Sequence, residues 1–192
     1  MNNSYIRELT EVMYHIEVSR NNGKTINKYE EVIQSLLQTF YRHKERQSRL
    51  FFLGNGGSAA IASHMTADFM KNGGMNTCSL YDYAVMTCMG NDYGYEYIFS
   101  KPLEFLLKEG DLVVAISSSG NSQNIINAIM VAKEKKAEVM TFTGFRPHNR
   151  ARQLADISLY VPCGKYGMVE SIHNLILQQI VDMIMERDGV KF

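Results

Sequence analysis

Apolar residues recur at three- and four-residue spacing at the start of the chain, at Ile6, Leu9, Met13 and Ile16, with Arg7, Glu8, Glu11 and Glu17 between them. That period puts them on one face of an amphipathic helix, which Asn21-Asn22-Gly23 is expected to end. A second helix is expected from Asn27, with Glu30 three residues on as in a capping box, carrying Val32, Ile33, Leu36, Leu37 and Phe40. Both helices precede any expected strand. Their apolar faces need cover from the domain itself or from another subunit, and a subunit contact is expected in part.

From Arg49 onward short apolar runs alternate with helical periods, the pattern of a parallel sheet covered on both faces. Strands are expected at Leu50–Leu53, near Thr77–Leu80, and at Leu112–Ile116, Glu138–Phe142 and Ile157–Val161. Helices are expected from Ala59 to about Lys71, Ala84 to Met89, Ile98 to Leu107, Gln123 to Lys136 and Val169 to about Arg187. The fold class is therefore α/β: one domain over 1–192, with a helical arm at 1–47 and an α/β core at 48–192. The methionines at helical spacing read as core filler.

Two loops between strand and helix carry candidate chemistry. Ser117-Ser118-Ser119-Gly120-Asn121-Ser122 follows one strand and precedes a helix. A helix start has unpaired N–H groups and a partial positive charge, so it suits a phosphate or carboxylate. Four serine hydroxyls add donors. Capping of the helix would explain Ser122 but not the three serines before it. The other loop, Gly54-Asn55-Gly56-Gly57-Ser58-Ala59, satisfies G-x-G-x-x-A, and Asp82 stands about where a ribose-binding carboxylate would be sought, so a dinucleotide-binding oxidoreductase is one reading. Against it, two helices precede the motif and the serine loop is left without a role. Loops at the carboxyl ends of strands beside a switch in strand order share one crevice, which favours a single small phosphorylated ligand. No G-x-x-x-x-G-K-[ST] is present, so a P-loop is excluded.

Composition narrows the partners. Twenty basic residues balance twenty acidic ones, so net charge points neither to nucleic acid nor to a membrane surface, and an anionic ligand must be held locally. The basic run Arg42-His43-Lys44-Glu45-Arg46 lies at a helix end, where cations are favourable, and reads as solvated. No apolar run approaches the roughly 20 residues of a bilayer span, and Met1-Asn2-Asn3-Ser4-Tyr5 lacks the form of a signal peptide, so a cytoplasmic location is expected. Cys78, Cys88 and Cys163 form no C-x-x-C pair and are expected to be reduced thiols.

The two loops, with Gly90-Asn91-Asp92 between them and two leading helices, resemble the sugar isomerase (SIS) domain, and within it the phosphoheptose isomerases. The resemblance covers nearly the whole chain. It implies a three-layer αβα sandwich with a five-stranded parallel flavodoxin-like sheet after two N-terminal helices, usually a homotetramer with active sites between subunits. By motif match, Ser117, Ser118, Ser119 and Ser122 would hold the phosphate, Asn55, Gly56, Gly57 and Ser58 would line the sugar site, and Asn91 and Asp92 would lie near its hydroxyls. The implied activity interconverts sedoheptulose 7-phosphate and a heptose 7-phosphate. The same pattern occurs in a bacterial protein that binds the replication initiator, so the alternative is a non-catalytic SIS protein holding a phosphosugar or a protein partner.

His64 and Asp68, four apart on the helix after the first loop, share a face and could converge on a metal or a substrate carbon. In the phosphoheptose isomerases this helix carries His and Glu as zinc ligands, the Glu also a proton-transfer candidate, and the last helix adds Gln and, eight later, His. Here the corresponding residues are His64, Asp68, Glu170 and Gln178. The resemblance thus implies His64, Asp68, Glu170 and Gln178 as a ligand set for zinc or another divalent metal, and Asp68, Glu170 and Gln178 as acid–base positions. Gln178 departs from the pattern: a carboxamide is a poorer zinc ligand than imidazole and no general acid near neutral pH. His173 is the nearest spare imidazole. The other reading of Glu170, Asn174, Gln178 and Asp182 is a solvated polar stripe.

Overall fold

The computed structural model describes residues 4–190. Helix α1 (Ser4–Tyr14) ends earlier than the apolar spacing suggests, because the pattern changes period after it. Ile16 and Val18 are fully buried, and the alternation carries β1 (Glu17–Arg20). Asn21-Asn22-Gly23 does not end a helix: it turns a hairpin, with Gly23 at φ 81° and the Arg20 N–H bonded to the Lys24 carbonyl, and leads into β2 (Thr25–Ile26). The expectation that two helices precede the sheet is corrected accordingly. Helix α2 (Tyr29–Glu45) starts after Lys28 without a side-chain cap, so the Asn27/Glu30 capping box does not form.

The expected βα alternation follows: β3 (Leu50–Gly54), α3 (Gly57–Lys71), β4 (Thr77–Cys78), α4 (Tyr83–Asp92), α5 (Ser100–Leu106), β5 (Leu112–Ser117), α6 (Gln123–Glu134), β6 (Glu138–Thr143), α7 (Arg150–Leu154), β7 (Ile157–Tyr160) and α8 (Tyr166–Arg187). The sheet has seven strands in the order β2-β1-β7-β6-β5-β3-β4 and is mixed. Five strands are parallel, as expected, but β1 runs antiparallel to β7, pairing Val18 with Leu159 and Arg20 with Ile157, and β2 extends the edge.

Strand alternation divides the core into two layers. Leu50, Phe52, Val114, Ile116, Met140 and Phe142 face α2, α3 and α8, where the Phe40 and Phe69 rings meet at a 40° tilt with centroids 4.7 Å apart. Phe51, Leu53, Val113, Ala115 and Val139 face the other way, toward Leu103 of α5 and Ile125, Ile126 and Ile129 of α6. Fully burying one such side chain is worth about 1.5–3 kcal/mol, so both faces hold the three-layer arrangement. The direction of chain progression reverses between β3 and β5, and the loops at their carboxyl ends open onto a common crevice.

Candidate functional site

Each loop at that crevice is held by its own contacts. In the β3–α3 loop, a Cβ on Gly54 would stand 2.7 Å from the Ser58 backbone, so only glycine fits. The Tyr81 hydroxyl accepts from the Gly54 N–H and donates to its carbonyl, both at 2.8 Å, and burial pushes this phenol well above its ordinary pKa, against the hydrogen bond to Gly54. Asn55 and Asn124 exchange a pair of amide hydrogen bonds at 2.9 and 2.8 Å, and Tyr95 donates to Asn55 Oδ1 at 3.1 Å. The two loops are thereby tied across the switch point. On the far side Gly120 (φ 64°) lies against Asn149, whose Oδ1 caps α7 through Arg152 N–H, while the Gly120 carbonyl accepts from Ala151 N–H at 2.9 Å.

The four serines do not play one part. Ser117 Oγ accepts from Gly120 N–H at 3.2 Å and Ser119 Oγ from Asn121 N–H at 3.4 Å, so both shape the loop. Ser122 occupies the N-cap position of α6 yet makes no capping bond with its side chain, which removes the structural explanation for its hydroxyl. Ser118 Oγ is buried with no hydrogen-bond partner among the described residues. An orphaned buried hydroxyl costs about 1–3 kcal/mol unless something pairs with it. Both free hydroxyls belong to residues lining a cavity of about 290 Å³ with Asn55, Gly56, Gly57, Ser58, Ser117 and Ser119. Among the described residues no lysine or arginine lines it, so an anion there would be met by neutral donors and a helix start.

Helix α8 adds two residues to the wall. Glu170, one turn into α8, packs its carboxylate against Gly57 so closely that a Cβ there would collide with it. Tyr166, four residues earlier on the same helix, and Ile116 of β5 are wall residues that sequence reasoning missed; for Tyr166 the i, i+4 spacing to Glu170 was the available signal. Gly57 and Glu170 also border an adjoining hollow of about 330 Å³ with Ala60, His64, Ser171 and Asn174. Glu170 therefore stands between the serine cavity and a second hollow that includes His64.

Asp68 and Gln178 lie behind His64 and line neither space. Asp68 Oδ2 meets His64 Nε2 at 3.0 Å and accepts from Gln178 Nε2 at 2.8 Å. Gln178 thus answers Asp68 with a donor. Asn91 and Asp92 are not brought to the cavity: they are exposed at the end of α4, where Asn91 Nδ2 donates to Asp92 Oδ1 at 2.9 Å. His173, the spare imidazole, faces the core, with Nε2 bonded to the Thr143 carbonyl at 3.2 Å, its ring edge-on to Phe142, and burial lowering its pKa to about 4 against that bond. Asp82 caps α4 by accepting from Val85 N–H, so the carboxylate expected to hold a ribose has a local role. The three cysteines are free thiols, and none lines the serine cavity.

The SIS-domain model matches residues 13–144, more than half of the chain. The chain belongs to the SIS-domain family. As a SIS protein it is 36% identical to the phosphoheptose isomerase of Sulfurimonas denitrificans, covering 97% of this chain and 98% of that one. Among solved structures it resembles a phosphoheptose isomerase from Francisella tularensis, with a TM-score of 0.82, 26% identity and 96% of each chain covered. It also resembles that from Neisseria gonorrhoeae, with a TM-score of 0.74, 31% identity, and 79% of this chain and 84% of that chain covered.

Proposed function

We propose that this SIS protein is a phosphoheptose isomerase, interconverting sedoheptulose 7-phosphate and an aldoheptose 7-phosphate through an enediol. The observation that carries this reading is the placing of Glu170 in the same cavity as the unpartnered Ser118 hydroxyl. One end of the site can anchor a phosphate with neutral donors, and the carboxylate beside it can serve as a base. The names of the three similar isomerases agree with it.

In this reading Ser118, Ser122 and the α6 N-terminus grip the phosphate, and the sugar chain extends past Glu170 toward His64. Glu170 removes a proton from C1 of the ketose, the C1–H electron pair forms the enediol C=C, and the same carboxyl returns the proton at C2. His64, oriented by Asp68, moves the accompanying proton between the oxygens on C2 and C1. Asp68, whose Oδ2 already has two partners, fits an orienting role better than that of the base, and Gln178 holds it in place.

For a divalent metal, the set implied by family resemblance supplies one imidazole, two carboxylates and a carboxamide. Gln178 directs its Nε2 at Asp68 rather than offering an oxygen, and among the described residues no three His, Cys, Asp or Glu side chains are grouped to hold an ion. With His64 and Gln178 both bonded to Asp68 and Glu170 turned to the serine cavity, these side chains as arranged do not fit zinc.

A homotetramer belongs to the same reading. It is supported by α1, which despite its amphipathic pattern buries no residue within one chain and leaves Tyr5 and Ile6 about half exposed. A cytoplasmic setting is also part of it; among the described residues no helix is long and apolar enough to cross a membrane. The test is incubation of purified protein with sedoheptulose 7-phosphate in deuterated water. Deuterium at C2 of an aldoheptose 7-phosphate is expected. A folded protein that binds the sugar phosphate but exchanges no proton would overturn the isomerase assignment in favour of a non-catalytic phosphosugar-binding SIS protein.

A further inference from the structure

The opposite end of the sheet holds a larger cavity, of about 460 Å³, at the amino ends of the strands. Gly110 precedes β5, Glu138 opens β6 and Asp156 precedes β7, so the floor is formed by the ends of the strands that lead away to the serine loop. The rim carries five cations, Arg20, Arg42, Arg46, Lys133 and Lys136, against two carboxylates. In a chain with no net charge this is a local concentration of positive potential.

Internal partners leave much of that charge unspent. Arg42 pairs with Glu138 and Lys133 with Asp156. Arg20 donates only to neutral groups, to Ser35 Oγ at 2.9 Å and more weakly to Thr39, and neither it nor Arg46 has a carboxylate at ion-pair distance among the described residues. Lys136 faces Glu109 at 3.5 Å with both side chains well exposed, a pair that solvent screens. Arg42 Nε is buried without a partner among the described residues. The sequence run from Arg42 to Arg46 is thus not simply solvated: His43 is 1% exposed and Arg42 is partly enclosed.

We propose that this cavity binds a small molecule carrying two or more linked phosphates. Its volume is that of a small-ligand site, and its separated cations can meet successive phosphate groups where a single phosphate would leave several unpaired. Binding without turnover is the expected behaviour. His43 has both ring nitrogens engaged, by Ser48 Oγ at 2.7 Å and Glu138 Oε2 at 2.6 Å. Burial opposes ionisation of Glu138, but the His43 hydrogen bond and the Arg42 charge outweigh it and hold the carboxyl below its ordinary pKa. No free base remains at the floor.

The test uses inorganic pyrophosphate and, separately, inorganic phosphate, titrated calorimetrically into the full chain at low ionic strength. One equivalent of pyrophosphate is expected to bind at least about tenfold more tightly than phosphate. Arg46→Gln with Lys136→Gln, both remote from the serine cavity and checked for folding by retained isomerase turnover, should weaken it about tenfold. Ser118→Ala with Ser122→Ala should leave it unchanged. The proposal is overturned if pyrophosphate shows no saturable binding, if phosphate binds equally well, or if the serine variant abolishes binding that the Arg46/Lys136 variant leaves intact.

Discussion

The two ends of the central strands offer anions opposite kinds of site. At the carboxyl ends the serine cavity uses hydroxyls and the start of α6, with no cation in its wall and a carboxylate, Glu170, inside it. At the amino ends the other cavity uses guanidinium and ammonium groups drawn from several separate segments. The difference follows from what each neighbourhood has to do. A base beside the ligand is compatible with neutral donors, whereas a nearby arginine would form an ion pair with it and occupy its lone pairs. Where no base is needed, cations are the simpler solution.

The largest effect should come from removing the feature that separates the two sites. Glu170→Gln keeps the shape of the wall and deletes the proton acceptor, so kcat should fall by about 10²–10⁴-fold with KM for the sugar phosphate nearly unchanged. Asp68→Asn, which alters only the support of His64, should cost about 10²-fold or less. Steady-state kinetics of the two variants, with deuterium exchange as a second readout, distinguishes base from support. The roles would have to be exchanged if Asp68→Asn proved the more severe.

Helix α8 repeats the contrast on a smaller scale. Glu170 opens onto the cavity, while His173, three residues on, is fully buried, its Nδ1 unpartnered and its pKa lowered to about 4. The unfolded chain takes up this proton near pH 6.5, the folded chain only near 4, so between those values the unfolded state binds more protons and stability falls as pH falls. The full difference is about 3 kcal/mol. Denaturant titrations at pH 7, 5.5 and 4.5 should show progressive loss in the wild type and a flatter profile in His173→Leu. Parallel profiles would place the acid sensitivity elsewhere.

What was legible in the sequence follows the same division. The serine loop is contiguous, lies between a strand and a helix, and announces its chemistry in six residues. The basic cavity joins positions from Arg20 to Asp156 and acquires meaning only once β1 lies beside β7. That strand was itself hidden, because Ile16 continues the helical spacing of Ile6, Leu9 and Met13 while also beginning the alternation with Val18. Helical spacing pointed to His64 and Asp68, and family resemblance supplied Glu170 and Gln178. It could not supply the hydrogen bond that turns Gln178 toward Asp68, nor the packing of Glu170 on Gly57, since both depend on how α8 crosses α3.

Within the serine loop the hydroxyls should separate by function. Ser118→Ala removes an unpartnered buried donor, and a hydrogen bond to a charged group is worth about 1.5–3 kcal/mol, so phosphosugar affinity should fall by about 10–100-fold. Ser117→Ala loses a bond to the Gly120 N–H that shapes the loop, and its cost of about 1 kcal/mol should appear mainly in thermal stability. Binding calorimetry beside melting curves measures both. Equal losses of affinity would mean that the serines act as one set.

The smallest effect is the dependence on salt, and it compares the two sites directly. Neutral donors in a recessed cavity gain little from long-range charge, so KM for the sugar phosphate should change by no more than about twofold between 50 and 300 mM sodium chloride. Pyrophosphate at the cation-lined cavity should lose about tenfold in affinity over the same range, because exposed cations are screened and salt anions compete for them. A steep salt dependence at the substrate site would require cations to reach the bound phosphate from outside the single chain. The first place to look would then be a neighbouring subunit, brought in by the exposed Tyr5, Ile6 and Tyr14 of α1.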